Sequence, residues 1–293
     1  MGMEKQDRPI SITSNTTWKT GTRNFFPLRK TPFRTGMYPT FATIARVVLP
    51  GKAILLPTGV LFLPCNDHNY NMNECSPALI AAMGDYSLLL NKGYPVTATI
   101  KLVGDRYQLD RSERLILFRG VLDNASSVAI RKKTLATLPP ESDIGVDGYN
   151  VLFTLINFKR GHPLFIGTDG LLRDAGGAHG RFEREEDFAM AAELLCRHLS
   201  MLRPRHIGIY LDAPVSHSGQ HRELLEATCS RFNLAATTET VQNADLPLQE
   251  YTGTAVTSSD STVALKSRSP IFDLARHILE REYEKHFIDL SLP

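Results

Sequence analysis

The sequence predicts an α/β fold, with a mainly parallel sheet flanked by helices and an all-helical, helix-turn-helix-like module in front of it. After residue 141, short β-type runs alternate with helical segments, which is the pattern of βαβ units. Before residue 138, three short segments have helical spacing and tight turns. The stretch Leu138-Pro139-Pro140-Glu141 separates the two parts, because two prolines forbid a helix across it. We therefore expect a basic, irregular extension over residues 1–76, a helical module over 77–138 and an α/β domain over 141–293.

Charge is unevenly distributed along the chain. Residues 1–76 carry nine Lys/Arg and four Asp/Glu, residues 77–140 carry nine and five, and residues 141–293 carry fifteen and twenty-two. Such asymmetry is typical of proteins that contact nucleic acid or membranes, although two solvated surfaces of different composition give the same counts. The most apolar stretch, residues 47–64, is interrupted by three prolines and two glycines, so it is too broken to span a bilayer.

The cysteines and the chain start favour the cytoplasm. None of the four cysteines belongs to a CxxC pair, so we expect free thiols in a reducing compartment. The first ten residues are polar and charged, unlike a secretory signal. We therefore expect a soluble cytoplasmic protein without a membrane partner.

The first helices of the module are predicted from their caps. Ser76 is a good N-cap and Pro77 is tolerated at the first helical position, so a helix is expected to run to about Leu90. The sequence Gly93-Tyr94-Pro95 ends this helix and begins a second one, which continues to about Val103.

A capping box begins the third helix. Asp110 and Glu113 have the required spacing, and the helix is expected to reach about Leu122. Arg106 and Arg114 lie on this basic module and are candidates to bind a nucleic-acid backbone. The alternative is a packing module whose arginines face water.

The α/β domain is predicted as a succession of strands and helices. In chain order we expect strand 144–146, helix 151–158, strand 163–167, helix 183–201, strand 206–211, helix 219–232, strands 235–241 and 254–257, and helix 272–283.

Four aspartates follow the predicted strands. Asp147, Asp212 and Asp260 come directly after three strands or within three residues of them, and Asp245 lies just past a fourth. In an open α/β sheet, ligands bind beyond the carboxyl ends of the strands, so these four side chains are expected to converge. Each aspartate taken alone is also a common turn former or helix N-cap.

Converging carboxylates indicate a divalent cation. Like charges raise each other's pKa, and a cation removes that repulsion. Carboxylate oxygens are preferred ligands of Mg²⁺ and Mn²⁺, and such an ion can activate water and stabilise charge at phosphorus. We predict that Asp147, Asp212 and Asp260 bind Mg²⁺ or Mn²⁺ and that Asp245 completes the catalytic cluster.

Several motifs resemble those of PIN-like nucleases, especially the NYN branch. The segment Val146-Asp147-Gly148-Tyr149-Asn150 resembles its D-G-x-N start, and Asn243-Ala244-Asp245-Leu246 resembles its internal acidic motif. The segments Leu211-Asp212-Ala213-Pro214 and Thr257-Ser258-Ser259-Asp260 resemble its other two acidic strand ends. The helical segment over residues 85–107 is similar to the helical partner in a two-part prokaryotic family of unknown function.

The resemblance implies metal-dependent hydrolysis of nucleic acid, RNA more than DNA. Asn150 would orient the first acid or a water, and Ser258 and Ser259 would support the cluster. The loop from Gly167 to Arg181 departs from the general PIN pattern. Asp169 in that loop is a further candidate for the metal site, and its two arginines are candidates to bind phosphates. These arginines are Arg173 and Arg181.

Other enzyme classes lack their motifs. The chain has no G-x-S-x-G elbow for a Ser/His/Asp hydrolase, and no P-loop or strand-linked G-x-G-x-x-G. Two alternatives to a nuclease remain open, namely a non-catalytic nucleic-acid-binding regulator and a phosphatase for a small phosphorylated molecule.

Overall fold

A computed structural model describes residues 75–176, 184–283 and 287–291, and the backbone of two short strands before them. These strands, β1 (Ile54–Leu55) and β2 (Leu61–Phe62), pair antiparallel. The rest of the predicted extension lies outside the described residues, as does Arg181. In the part of the chain that is described, no helix has the length and apolarity needed to cross a bilayer.

Helices fill the region in front of the α/β part, as predicted. They are α1 (Pro77–Asn91), α2 (Val96–Arg106), α3 (Arg111–Gly120) and α4 (Asn124–Lys133). The Ser76 side chain caps α1, and the capping box of Asp110 and Glu113 is present at α3. The fourth helix was not predicted. It begins at a local cap, in which the Asp123 carboxylate accepts the Ser126 N–H at 2.9 Å.

The remaining elements include a counterpart of every predicted strand and helix. They are β3 (Asp143–Asp147), α5 (Gly148–Lys159), β4 (Leu164–Ile166), β5 (Leu172–Asp174), α6 (Glu185–Leu202), β6 (His206–Asp212), α7 (Ser218–Arg231), β7 (Ala236–Val241), α8 (Asp245–Glu250), β8 (Ala255–Thr257), α9 (Ser261–Lys266), α10 (Leu274–Tyr283) and β9 (Ile288–Asp289). Four of these are short elements that were not predicted, namely β5, α8, α9 and β9.

The main sheet has four parallel strands in the order β7-β6-β3-β8. The prediction of a parallel α/β sheet flanked by helices is therefore confirmed. Strand β3 is central, and its five residues pair with β6 from Asp143 opposite His206 to Asp147 opposite Tyr210. The carboxyl ends of all four strands consequently lie along one edge of the sheet.

Strand β4 belongs to a second, three-stranded sheet in the order β5-β4-β9. It pairs antiparallel with β5, which was not predicted, and parallel with β9. The β4–β5 turn passes through Gly170 at φ +86°, a backbone conformation that side chains disfavour. The hairpin brings Asp169 and Arg173 into the interior, with exposures of 0% and 2%.

The helical region shares its core with the second sheet. Leu79, Tyr86 and Leu117 pack in one apolar cluster with Phe165 of β4 and Ile288 of β9. The main core lies between the four-stranded sheet and helices α5, α6, α7 and α10. On α6 and α7, the buried Cys196 and Cys229 are free thiols whose sulfurs lie 3.6 Å apart.

The segment that joins the two parts is packed against the protein. The Leu135 N–H donates to the Ile271 carbonyl at 2.7 Å, and the side chain of Leu138 is buried in the main core. The prolines at 139 and 140 still separate helix α4 from strand β3, as the sequence predicted.

Candidate active site

Asp147 occupies the junction between the central strand and the next helix. It ends β3 and caps α5, with one carboxylate oxygen accepting the Asn150 N–H at 3.2 Å. The turn is tight because residue 148 is glycine, and a Cβ there would lie 2.6 Å from Leu211 Cδ2. The side chain of Asp147 is therefore held at the strand end, where it is only 5% exposed.

The loop after β8 holds this junction from the other side. The Ser258 hydroxyl donates to the second Asp147 oxygen at 2.8 Å and accepts the Asp260 N–H at 3.1 Å. The Ser259 N–H and hydroxyl both donate to Asn150 Oδ1, at 2.9 and 3.0 Å. The D-G-x-N segment and the Ser-Ser-Asp segment thus form one hydrogen-bonded unit.

The other two strands place acids at the same edge. Asp212 ends β6 and accepts the Ala244 N–H at 2.8 Å, which ties it to the loop carrying Asp245. Asp245 is the first residue of α8. Asp260 caps α9 by accepting the N–H groups of Thr262 and Val263 at 2.7 and 3.1 Å.

The four aspartates, which we call the acidic edge, interact electrostatically. Burial is the main reason that the pKa of Asp147 rises to about 7, and the negative charges of Asp212 and Asp245 add to it. Hydrogen bonds from Ser258 and Asn150 act in the opposite direction. Burial also raises the pKa of Asp245, with further contributions from Asp260 and Asp212. Each of the four aspartates therefore influences, or is influenced by, at least one other member of the acidic edge.

The donor chemistry of the acidic edge suits a hard divalent cation, although the carboxylates are not gathered around a single point. Over the described ranges, no group of three Asp, Glu, His or Cys side chains is arranged to hold a metal ion. Asp147 uses both oxygens in hydrogen bonds, whereas the bonds described for Asp212 and Asp260 each engage one oxygen.

Asp169 and Arg173 form a buried ion pair that adjoins the segment after β8. Arg173 donates to both Asp169 oxygens, at 2.7 and 2.6 Å, and its Nε donates to the Ser259 carbonyl at 2.9 Å. Asp169 also accepts the Leu171 N–H at 3.3 Å, and the Arg173 side chain is only 3% exposed. Arg173 thus supports the Ser259 backbone, and neither residue has the open position predicted for a metal ligand or a phosphate clamp.

The two candidate arginines of the helical region, Arg106 and Arg114, have different surroundings. Arg114 donates to the Leu109 carbonyl at 2.9 Å and pairs with Asp105 at 2.9 Å, so it joins α2 to α3. Arg106 is largely exposed and lies 3.5 Å from Asp85, with its guanidinium over the Tyr107 ring. Of the two, Arg106 has the freedom to contact a partner.

A tyrosine–histidine pair near Asp212 was missed in the sequence. The Tyr149 hydroxyl and His221 Nδ1 are 3.0 Å apart, and the His221 ring stacks on Phe188 with centroids 4.0 Å apart. Burial is the largest cause that lowers the pKa of His221, and burial together with Asp212 raises that of Tyr149. The available signal was the position of Tyr149 inside the D-G-Y-N segment, but nothing local pointed to its partner on α7.

Two family models match the chain. A domain of unknown function, DUF5616, matches residues 140–277, and a protein of unknown function, DUF434, matches residues 78–133. The first match extends from the start of the α/β part into α10, and the second covers helices α1 to α4. No PIN or NYN model is among the matches, so the nuclease prediction depends on the acidic edge alone.

One curated relative matches about two thirds of the chain. An uncharacterized protein of Methanocaldococcus jannaschii is 27% identical over 203 residues, which span 68% of this chain and 95% of the relative. No solved structure matches the chain.

Proposed function

We propose that this chain is a metal-dependent nuclease that hydrolyses phosphodiesters, with RNA preferred over DNA. The observation that carries the proposal is that four aspartates follow the carboxyl ends of the four parallel strands. The charges of Asp212 and Asp245 raise the pKa of Asp147, which is nearly buried and has no cationic partner among the described residues. A protein gains nothing in stability from such mutual repulsion, and perturbed carboxylates of this kind cluster at functional sites.

Mg²⁺ or Mn²⁺ would be held by Asp147, Asp212 and Asp260, directly or through water. When bound, the ion supplies positive charge that activates water and stabilises the transition state at phosphorus. Asp245 adds negative charge from the start of α8, which strengthens binding of the cation. Ser258 and Asn150 fix the Asp147 junction, so that the carboxylate keeps its position while charge develops.

The charge distribution favours nucleic acid over a small phosphorylated molecule. Residues 77–140 carry nine basic and five acidic side chains and pack beside the acidic domain, so a polyanion can bind the basic helices while one phosphate reaches the acidic edge. Arg106 is one exposed basic side chain of α2 that is available for such binding.

Cleavage of labelled single-stranded RNA in the presence of Mn²⁺ tests the proposal. The wild-type chain should cut the RNA, and EDTA should stop the reaction. Asp147→Asn and Asp212→Asn should each reduce the rate roughly a hundredfold or more, because each removes a charge that holds the cation. Glu226→Gln is the matched control, since Glu226 is an exposed acid on α7 that lies outside the acidic edge.

Three other outcomes would reject the nuclease. Salt-dependent RNA binding without cleavage would assign the chain to regulators, and cleavage of only a generic phosphomonoester would assign it to phosphatases. Equal cleavage by the wild type and both aspartate variants would point to a contaminating enzyme.

A further inference from the structure

A cavity lies between the helical region and the acidic edge. Its volume is about 430 Å³, and its walls come from α2 and α3 on one side and the segment after β8 on the other. Phe118 and Thr97 line the helical side, and Ser259, Asp260 and Thr262 line the opposite side. The size falls within the range of small-ligand pockets.

Phe118 is an unusual component of this wall. Its side chain is 51% exposed, although the neighbouring Leu117 on α3 is fully buried in the core. Val96, at the start of α2, lines the same cavity and is 43% exposed. An aromatic ring with an open face in a concave site is a platform on which a planar, uncharged group can stack.

The charges of the cavity suit a base and a sugar better than a phosphate. The two guanidinium groups in its wall, Arg119 and Arg173, are bonded to Asp174 and Asp169. The wall also carries the hydroxyl side chains of Thr97, Ser261 and Thr262. Hydroxyl groups can donate to and accept from a ribose 2′-OH, which is the group that distinguishes RNA from DNA.

The cavity is continuous with the acidic edge through shared residues. Asp260 belongs to both, and Ser259 lines the cavity while its N–H and hydroxyl bond Asn150 beside Asp147. If one nucleotide is held against Phe118, the next nucleotide in the strand would therefore lie at the acidic edge.

We propose that this cavity binds one unpaired nucleotide of single-stranded RNA, with its base stacked on Phe118 and its ribose near the Thr and Ser hydroxyls. The proposal rests on the nuclease function proposed above and names its substrate as single-stranded. A base inside a duplex is already stacked and paired, so it does not offer its face to the ring. The helical region then acts as the wall that selects the substrate.

Binding of an RNA oligomer that contains 2-aminopurine tests the cavity separately from catalysis. The measurements use EDTA to prevent cleavage, and follow both affinity and the quenching of 2-aminopurine that accompanies stacking. Phe118→Ala and Phe118→Leu should each weaken binding about tenfold and abolish the quenching, since base–aromatic stacking is removed. Phe118→Tyr should keep both. Leu102→Ala is the control, because Leu102 on α2 is 60% exposed and outside the cavity wall.

Two competitors identify the ligand. Duplex RNA and single-stranded DNA of the same sequence should each compete poorly with the single-stranded RNA. Unchanged affinity and quenching in folded Phe118→Ala, or equal competition by duplex RNA, would overturn the cavity proposal even if Asp147-dependent cleavage occurs. Phe118-dependent binding without any cleavage would support the cavity and reject the nuclease instead. Thermal unfolding of each variant checks that the half-exposed substitution leaves the fold intact.

Discussion

Buried aspartates occur in two kinds of surroundings in this molecule. Those around the second sheet and at the start of α6 each have an arginine partner, and are almost fully buried. The pairs are Asp169–Arg173, Asp174–Arg119 and Asp187–Arg160. Asp147 in the acidic edge is nearly as buried, but it has a hydroxyl group, an N–H group and like charges around it.

Under the proposed function, this difference separates structural acids from functional ones. A carboxylate whose charge is already compensated by an arginine does not bind a cation from solution. Its ion pair instead holds neighbouring segments of the chain together. A carboxylate that the fold leaves uncompensated keeps the capacity to bind a cation from outside, at some expense in stability. Asp169 follows a strand and Asp174 ends one, as Asp147 does, so position along the chain does not distinguish the two kinds.

The largest expected effect lies at the compensated pair. Arg173→Met leaves Asp169 buried without its partner and should lower the free energy of unfolding by about 3–5 kcal/mol. Urea denaturation measures this change. Arg222→Ala, which removes an exposed pair with Glu226 at 3.9 Å, is the control and should cost about 0.5 kcal/mol or less. Equal losses in the two variants would contradict the distinction between buried and exposed pairs.

The next effect concerns the uncompensated acids. Saturating Mn²⁺ should stabilise the wild type by about 2–3 kcal/mol at a hundredfold excess over the dissociation constant, because the folded state alone gathers the carboxylates. Asp147→Asn should lose most of this stabilisation, whereas Asp169→Asn should keep it although it is less stable. Thermal unfolding with and without Mn²⁺ provides the comparison. A Mn²⁺ response that persists in Asp147→Asn would remove Asp147 from the proposed ligands.

Asp273 is an intermediate case, held by backbone N–H groups of Leu172 and Arg276 at 2.6 and 3.0 Å. Burial raises the pKa of this carboxyl to about 6. The folded state therefore keeps its proton to a higher pH than the unfolded state, and stability falls as pH rises from about 4 to 6. Relative to wild type, Asp273→Asn should gain about 1–2 kcal/mol across this interval, measured by urea unfolding at each pH. A difference that does not vary with pH would contradict the raised pKa.

The smallest effect should come from Ser258. Ser258→Ala removes the hydroxyl that bonds both the Asp147 carboxylate and the Asp260 N–H, and should cost about 1 kcal/mol of stability. The cleavage rate should fall by a larger factor than the folding equilibrium constant, because Asp147 and Asp260 lose the hydroxyl group that bonds both of them. Ser230→Ala is the control, since the Ser230 hydroxyl donates to the Glu226 carbonyl on the exposed face of α7. Full activity in Ser258→Ala would place the hydroxyl outside the site.

Much of the fold was predictable because its signals are local. A cap such as Ser76-Pro77, or the box of Asp110 and Glu113, involves residues three apart and forms whatever the rest of the chain does. Helix α4 was missed because its cap at Asp123 lacks a glutamate three residues later and its apolar residues are few. Strand β5 was missed because three residues give too short a pattern to read.

The sequence by itself determined the alternation of strands and helices and the placement of an aspartate after each of the four sheet strands. Only the tertiary structure decided the order β7-β6-β3-β8, the second sheet around β4 and the pairing of Asp169 with Arg173. The physical reason is the distance along the chain over which each kind of interaction acts. Periodicity and capping depend on neighbours in the chain, whereas strand partners and the compensation of a buried charge depend on groups brought together by packing, such as Ser258 and Asp147, 111 residues apart.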